Sequence, residues 1–450
     1  MRNIGIKRIL IHICALFILL LLAACSNAGE PEIEEEEPPF VYEEPYEEVM
    51  LAPYWEEEPE DEGPSTEARR GYIFAEDALE DFLFLSDFLR DSFPFLDALR
   101  RVYGLDFEAL VEEYYQMFSQ QEGEIALESH LLMLDAFLNI IRRGERNIGH
   151  LYMVDAAYFA YFKLWVGEWR PFTDPESIHT YEMLGVDLDN LAASARLVWD
   201  YVGSNLQFAY HWTESAAYVR IDSFMPAYLE RDLAALREFY SFISGYYDRL
   251  IIDISRNIGG GVTWYELFVL PNVYEMPQAE LLPGFIRNCP LSLELARIWD
   301  IPYCSINAFD FDSFPELHRE DFQHLRYMLQ FSLPEFEPVE RLFHGDIYII
   351  IGPHSLSGAD AFARFARATG FATLVGEPTG GIGGGAEAIG GSVADYIALP
   401  NSGLIFRLDL MYSINERGLW NEEVGTMPDI PTMQGKTALE TVLYVIRQGG

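Results

Sequence analysis

Residues 346–381 read DIYIIIGPHSLSGADAFARFARATGFATLVGEPTGG, and this stretch decides the fold. The apolar run that ends at Ile351 predicts a strand, and the small polar residues after it predict a turn. An alanine-rich amphipathic segment from Gly358 predicts a helix, and Ala372–Gly376 predicts the next strand. A strand, a tight turn and a helix in this order can present a nucleophile on the turn.

Ser357 stands on this predicted turn, directly before the helix. A serine there can expose its hydroxyl while the N–H of Gly358 points to the same spot, which acyl-transfer chemistry needs for its oxyanion. The alternative is that Ser357 only caps the helix, which is a common role for serine. His354 lies three residues earlier and is a candidate general base, unless the two side chains point apart.

The composition describes an acidic globular protein. The chain has 450 residues, half of them hydrophobic, and a formal net charge of −42. Such a chain can bury the cores of two or three domains. Its negative charge argues against nucleic acid and anionic lipid as ligands, because both would be repelled.

The first 25 residues predict a secretory signal. Three basic residues precede an apolar run from Ile9 to Leu22, and the segment ends in Ala-Ala-Cys25, which resembles the lipobox of bacterial lipoproteins. The expected product is an extracytoplasmic lipoprotein attached to the membrane through a lipid on Cys25; the alternative is a plain membrane anchor. Residues 26–70 are rich in Glu and Pro and predict a disordered acidic tether, with a binding role as the alternative.

Two further domains are predicted after the tether. Residues 71–205 show helical periodicity and predict a helical N-terminal domain, whereas residues 206–450 alternate strand and helix and predict an α/β core with a mostly parallel sheet. In the first of these, His150 is interpreted as a hydrogen-bonded core histidine in preference to a catalyst.

The remaining cysteines and the glycine run leave alternatives open. Cys289 and Cys304 can form a disulfide or remain buried thiols, and no cysteine or histidine spacing indicates a metal, so no cofactor is expected. Gly259, Gly260 and Gly261 follow a predicted strand and form either an ordinary turn or a ring of amides that can approach an alkoxide.

Five separate segments, taken together and in order, resemble one family, the tail-specific (C-terminal processing) serine peptidases. The likeness is to the branch that holds the tricorn core domains and the repeats of interphotoreceptor retinoid-binding protein, and Gly149-His150 resembles a Gly-His pair that recurs in it. The matching segments are residues 251–260, 357–360, 372–381, 399–404 and 422–430.

The resemblance implies a spiral ββα core of the crotonase/ClpP type. It implies that Ser357 is the nucleophile, that Gly358 and the Gly259/Gly260 turn supply the oxyanion hole, and that Glu422 helps to orient and polarise the site. The substrate of such a protein is a polypeptide.

The general base is the departure from the family pattern. The position of the family's lysine is Ile382, and the position of the tricorn-type histidine is Arg220, which stays protonated and cannot act as a base. His354 and His150 remain as substitutes. The sequence therefore predicts a serine endopeptidase with an unassigned base; the alternatives are an inactive relative that binds peptides or apolar ligands, and a structural lipoprotein without a ligand.

Overall fold

The structure is a computed structural model that describes residues 71–166, 170–195, 205–273, 281–331, 341–381 and 393–449. The predicted signal and tether, residues 1–70, lie outside this part of the chain, and so does Ile382. Within the described ranges, no helix has the length and apolar character needed to cross a membrane.

The N-terminal part is helical, as its periodicity predicts. A short antiparallel pair of strands, β1 (Tyr72–Phe74) and β2 (Glu124–Ala126), accompanies the helices. The helices are α1 (Ala75–Ser92), α2 (Leu96–Tyr103), α3 (Phe107–Ser119), α4 (Leu127–Ile141), α5 (Ala156–Val166), α6 (Pro175–Met183) and α7 (Leu191–Ser194).

The second half is built around a six-stranded sheet in the order β15-β11-β10-β6-β5-β4. All neighbours in it are parallel except β4 and β5, so the prediction of a mostly parallel sheet holds. The strands are β4 (Leu206–His211), β5 (Ala216–Ile221), β6 (Arg249–Asp253), β10 (Asp346–Ile351), β11 (Thr373–Gly376) and β15 (Ile430–Pro431).

Two smaller sheets complete the strands. One has the order β12-β13-β3 and joins the N-terminal part to the second half, because β3 comes from the N-terminal part; the other has the order β14-β7-β9-β8. Their strands are β3 (Tyr152–Met153), β7 (Gly284–Arg287), β8 (Tyr303–Ser305), β9 (Leu325–Leu329), β12 (Ala394–Ala398), β13 (Ile405–Asp409) and β14 (Tyr412–Ser413).

Helices cover both faces of the six-stranded sheet. Alternate side chains of β10 enter different cores: Ile349 and Ile351 pack in one cluster, and Tyr348 and Ile350 in another. This is the two-residue period of a strand that is buried on both faces. The helices of this half are α8 (Leu229–Ile243), α9 (Pro290–Ile298), α10 (Gly358–Thr369), α11 (Asn421–Val424) and α12 (Ala438–Arg447).

A third and larger core runs through the N-terminal helices and into the second half. It includes Phe82 and Phe137 of the helices as well as Phe406 and Trp420. Phe88 of α1 meets Phe406 of β13 edge to face, with ring centroids 5.7 Å apart. The predicted α/β fold with a helical N-terminal region is confirmed. Cys289 and Cys304 are both free thiols.

Candidate active site

Ser357 lies on a strained turn between β10 and α10. Its backbone has φ 52° and ψ −118°, a conformation that a residue with a side chain adopts only under constraint. Two hydrogen bonds supply the constraint. The N–H of Leu356 donates to the carbonyl of Asn257 at 3.0 Å, and the N–H of Ser357 donates to the carbonyl of Gly381 at 3.0 Å. The turn thus holds the hydroxyl at the head of the helix.

The glycine turn after β6 packs directly against Ser357. A Cβ added to Gly259 would lie 2.7 Å from the Cβ of Ser357 and 2.8 Å from the amide nitrogen of Gly358, so only glycine fits there. The φ of Gly259 is also +94°, in the region that favours glycine. Two turns that are a hundred residues apart in sequence therefore meet at one place.

The candidate oxyanion donors differ among the predicted glycines. The N–H of Gly259 is already bound, since it donates to Oδ1 of Asn257 at 2.8 Å. The N–H groups of Gly260 and Gly358 donate to no group in the described part of the chain. Of the three predicted glycines, Gly358 and Gly260 therefore keep an unengaged N–H among the described residues and remain candidate donors, and Gly259 contributes by the room that its missing side chain leaves.

His150 is the candidate base for the hydroxyl. Its Nε2 lies 2.9 Å from Oγ of Ser357, and its Nδ1 lies 2.6 Å from Oδ2 of Asp409. The three side chains form a linear hydrogen-bonded arrangement in which a carboxylate orients an imidazole and the imidazole faces a serine. His150 is partly buried and Asp409 is only 2% exposed.

A tight turn presents His150 to the second half. Asn147, Gly149 and His150 all have positive φ, at 48°, 64° and 42°. Gly149 packs so closely on Phe93 and Phe95 that an added Cβ would lie within 2.8 Å of both rings. Directly after this turn, β3 pairs with β13, with Tyr152 opposite Arg407 and Met153 opposite Phe406. The same strand pairing therefore brings His150 next to Asp409.

The electrostatics favour a neutral imidazole beside an ionised carboxylate. Burial lowers the pKa of His150 below its ordinary value, although Asp409 acts in the opposite direction. Burial alone would raise the pKa of Asp409, but His150 and Arg407 hold it below its ordinary value. At neutral pH the imidazole is then able to accept the serine proton.

Glu422 lies beneath the histidine turn, and among the described residues no hydrogen bond joins it to the imidazole of His150. Its Oε2 accepts a hydrogen bond from the N–H of Gly149 at 2.9 Å. Burial raises the pKa of Glu422 well above its ordinary value, and Asp409 and Asp360 raise it further. Glu422 thus holds the backbone that carries His150. Its neighbour Glu423 points elsewhere, to an ion pair with Arg101 at 2.7 Å.

A buried carboxylate braces the start of α10. Asp360 accepts hydrogen bonds from Oγ1 of Thr426 and from Nδ2 of Asn421, each at 2.7 Å, and from the hydroxyl of Thr379. These partners belong to the segment after β11 and to the region of α11. The nucleophile helix is therefore fixed to the segment that carries Glu422.

The structure brings together Ser357, Gly358 and the glycine turn, but it does not bring His354 to the hydroxyl. His354 is exposed, and in the described residues no hydrogen bond joins it to Ser357. The reason lies in Ser355, which is buried and donates to the carbonyl of Ile254 at 2.7 Å. This contact turns Ser355 inward and leaves His354 in solvent.

His150 is hydrogen-bonded, as interpreted from the sequence, and because its partners are Ser357 and Asp409 it becomes the candidate base. Arg220, which the sequence resemblance predicts at the position of the tricorn-type histidine, lies on β5 and pairs with Asp222 at 3.0 Å. Asp409 could not be identified from the sequence, although it is the last residue of strand β13. In the described ranges, no group of three or more His, Cys, Asp or Glu residues is placed to hold a metal ion.

The comparisons with known proteins agree with the sequence resemblance. Residues 314–432 match peptidase family S41 (Peptidase_S41), a region that contains Ser357, Asp409 and Glu422. The predicted resemblance to the tail-specific serine peptidases is thereby confirmed over the matched residues. A comparison with curated protein sequences finds no match.

Several solved structures are similar along most of the chain. A putative peptidase from Parabacteroides merdae is 14% identical, with 84% of this chain and 98% of that chain covered, at a TM-score of 0.46. Mature CPAF in complex with lactacystin is 14% identical, with 83% of this chain and 98% of that chain covered, at a TM-score of 0.47. The photosystem II D1 C-terminal processing protease is 12% identical, with 82% of this chain and 97% of that chain covered, at a TM-score of 0.39.

Proposed function

We propose that this chain is an active serine endopeptidase that hydrolyses peptide bonds in polypeptides outside the cytoplasm. One observation carries the proposal: the hydroxyl of Ser357 lies 2.9 Å from an imidazole whose other nitrogen lies 2.6 Å from a buried carboxylate. A serine hydroxyl is a weak nucleophile until a base takes its proton, and this arrangement provides the base.

The first half of the reaction follows from the positions of these groups. Oγ of Ser357 attacks the carbonyl carbon of the scissile bond while Nε2 of His150 takes the hydroxyl proton. The carbonyl oxygen becomes an alkoxide, which the N–H groups of Gly358 and Gly260 stabilise. One such donor contributes about 3 kcal/mol to the stability of the transition state.

The second half restores the enzyme. His150 gives its proton to the amide nitrogen, the C–N bond breaks, and the amine product leaves an ester on Ser357. Water then attacks the ester with His150 as base, which releases the acid product and returns the proton to Oγ. Throughout, Asp409 stays ionised and holds the imidazole in the tautomer that accepts at Nε2.

The alternative of an inactive relative rests on the family positions that hold Arg220 and Ile382 in place of a base. His150 lies beside Ser357 and comes from the N-terminal part of the chain, so neither of these positions has to supply the base. The extracytoplasmic location rests on the predicted signal and on Cys25, which we propose as the site of a lipid anchor; the acidic residues after it would act as a tether.

Activity-based labelling of the full-length chain in detergent tests the proposal. A serine-directed fluorophosphonate should label the wild type, and Ser357→Ala should abolish the label. Ser241→Ala, which removes an exposed serine of α8, is the matched control and should label normally. The same three proteins are incubated with unfolded casein, and the products are identified by mass spectrometry. New internal cleavages that depend on Ser357 support an endopeptidase, whereas absent labelling and cleavage by a folded wild type overturn it.

A further inference from the structure

Arg407 lies on the side of Asp409 that His150 does not occupy. The two residues are two apart on β13, so their side chains share one face of the strand. Nη2 of Arg407 lies 3.5 Å from Oδ1 of Asp409, whereas Oδ2 of Asp409 is the oxygen that faces His150. Oδ1 is buried and takes no hydrogen bond within the described residues, so the ion pair is its polar contact.

Two tyrosines hold the guanidinium of Arg407. Tyr152 of β3 and Tyr396 of β12 are its direct partners on the two neighbouring strands. The guanidinium carbon lies 5.9 Å from the ring centroid of Tyr152 and 5.8 Å from that of Tyr396. A cation between two aromatic rings is stabilised by both and has little freedom to move. The side chains of Tyr396, Arg407 and Tyr152 therefore form one row across the three-stranded sheet.

We propose that Arg407, held between Tyr152 and Tyr396, is a positioning residue that fixes the carboxylate of Asp409 with Oδ2 turned towards His150. This inference rests on the proposed function, since it concerns the same triad. A buried carboxylate can rotate about its terminal bond, and a fixed cation at one oxygen selects one orientation. The selected orientation keeps the imidazole aligned with Oγ of Ser357.

The charges around the pair give the inference a measurable consequence. Besides Arg407, the groups that interact electrostatically with Asp409 include Glu422, from α11, and Tyr396, from β12, whereas Asp409 and Arg407 are the charged groups that act on His150. Arg407 is the cation that lowers the pKa of His150. Without its charge the pKa of His150 rises, so a larger share of the imidazole is protonated and unable to act as base near neutral pH.

Three variants of the full-length chain separate charge, geometry and general loss of an arginine. Arg407→Met removes the charge but keeps much of the apolar stem, whereas Arg407→Lys keeps the charge and loses the planar fork. Arg249→Met is the matched control, because Arg249 is half-buried at the first residue of β6, the end of that strand farthest from the glycine turn.

The rate of fluorophosphonate labelling is measured against pH for each variant. Arg407→Met should label about tenfold more slowly near neutral pH, and its acidic limb should move up by about half a pH unit or more. Arg407→Lys should keep the wild-type limb with a slower plateau. Arg249→Met should match the wild type in both. An unmoved limb and an unchanged plateau in folded Arg407→Met would overturn the inference.

A second measurement does not need activity. In the Ser357→Ala background, histidine labelled with carbon-13 at Cε1 is titrated by NMR, and His150 is assigned by its loss in His150→Gln. The pKa of His150 should be higher when Arg407→Met is added, and unchanged when Arg249→Met is added. A wild type that the fluorophosphonate does not label contradicts the proposed function. An equal pKa of His150 with and without Arg407→Met contradicts the role of Arg407.

Discussion

Nδ1 of His150 lies 2.6 Å from Oδ2 of Asp409, and the two residues come from halves of the chain that meet through the pairing of β3 with β13. This contact determines which nitrogen of the imidazole is protonated. Because an ionised carboxylate can only accept, Nδ1 must donate, and Nε2 is left to accept from Ser357.

Asp409→Asn should therefore lower the rate of peptide hydrolysis by about a thousand- to ten-thousand-fold. An amide can present its NH₂ to Nδ1, which favours the tautomer that cannot take the serine proton. Steady-state hydrolysis measures the effect. Asp429→Asn, which changes an exposed carboxylate, is the control and should keep the wild-type rate. A comparable rate in Asp409→Asn would show that another group orients the base.

The activity should persist to lower pH than an ordinary histidine allows. Burial lowers the pKa of His150 from its usual 6.5, so the acidic limb of kcat/KM should lie below that value. Hydrolysis measured between about pH 4 and pH 8 locates the limb. A limb well above 7 would be inconsistent with a buried imidazole.

The free energy of unfolding should fall as the pH drops below 6.5. The pKa of His150 is lower in the folded chain than in the unfolded chain, so the unfolded chain binds the extra proton first. Asp409 acts in the same direction at lower pH, because its folded pKa is also depressed. Denaturant unfolding of wild type and His150→Gln at several pH values measures the histidine contribution, which should disappear in the variant.

Glu422→Gln should keep most of the activity. Burial raises the pKa of Glu422, which favours its neutral carboxyl group, and a glutamine oxygen can accept the same hydrogen bond from the N–H of Gly149. Glu422→Leu leaves that buried N–H unpaired, which should cost about 1–3 kcal/mol of stability and slow hydrolysis. Kinetics and thermal melts of both variants decide the matter. A Gln variant as slow as the Leu variant would instead indicate a required negative charge.

Gly259→Ala should abolish labelling of Ser357 even in protein that is still folded. The added methyl group would overlap the Cβ of Ser357 and the amide of Gly358, so the nucleophile and an oxyanion donor must both move. Gly370→Ala is the control, because Gly370 also has positive φ (+67°) but nothing within 4 Å of an added Cβ. That variant should cost about 1 kcal/mol of stability and label normally. Equal labelling of Gly259→Ala and Gly370→Ala would show that Gly259 does not shape the site.

The strand–turn–helix around Ser357 could be predicted because its signals are local. The six consecutive residues of β10, the serine directly before Gly358 and the helical period of α10 all lie within one short stretch. The alternation of strands and helices likewise indicated a mostly parallel sheet, and the family segments supplied the order of the functional parts.

The base could not be assigned from the sequence, because the Gly149-His150 pair left His150 as one of two substitutes and gave no sign of its distance from Ser357. Its role arises from the register between β3 and β13, which joins residues more than 250 positions apart. His354 was the nearer candidate in sequence, but the inward turn of Ser355 directs it to solvent. Asp409 looked like any acidic residue after an apolar strand, and only the folded contact distinguishes it.

Under the proposed function, the wide spacing of the triad along the chain also sets the moment at which cleavage becomes possible. A ribosome makes His150 first, Ser357 some two hundred residues later, and Asp409 last. A growing polypeptide that already carries the serine still lacks the strand that aligns its imidazole. Synthesis itself therefore acts as a safeguard: a truncated or half-made product bears the nucleophile without the means to use it on its neighbours.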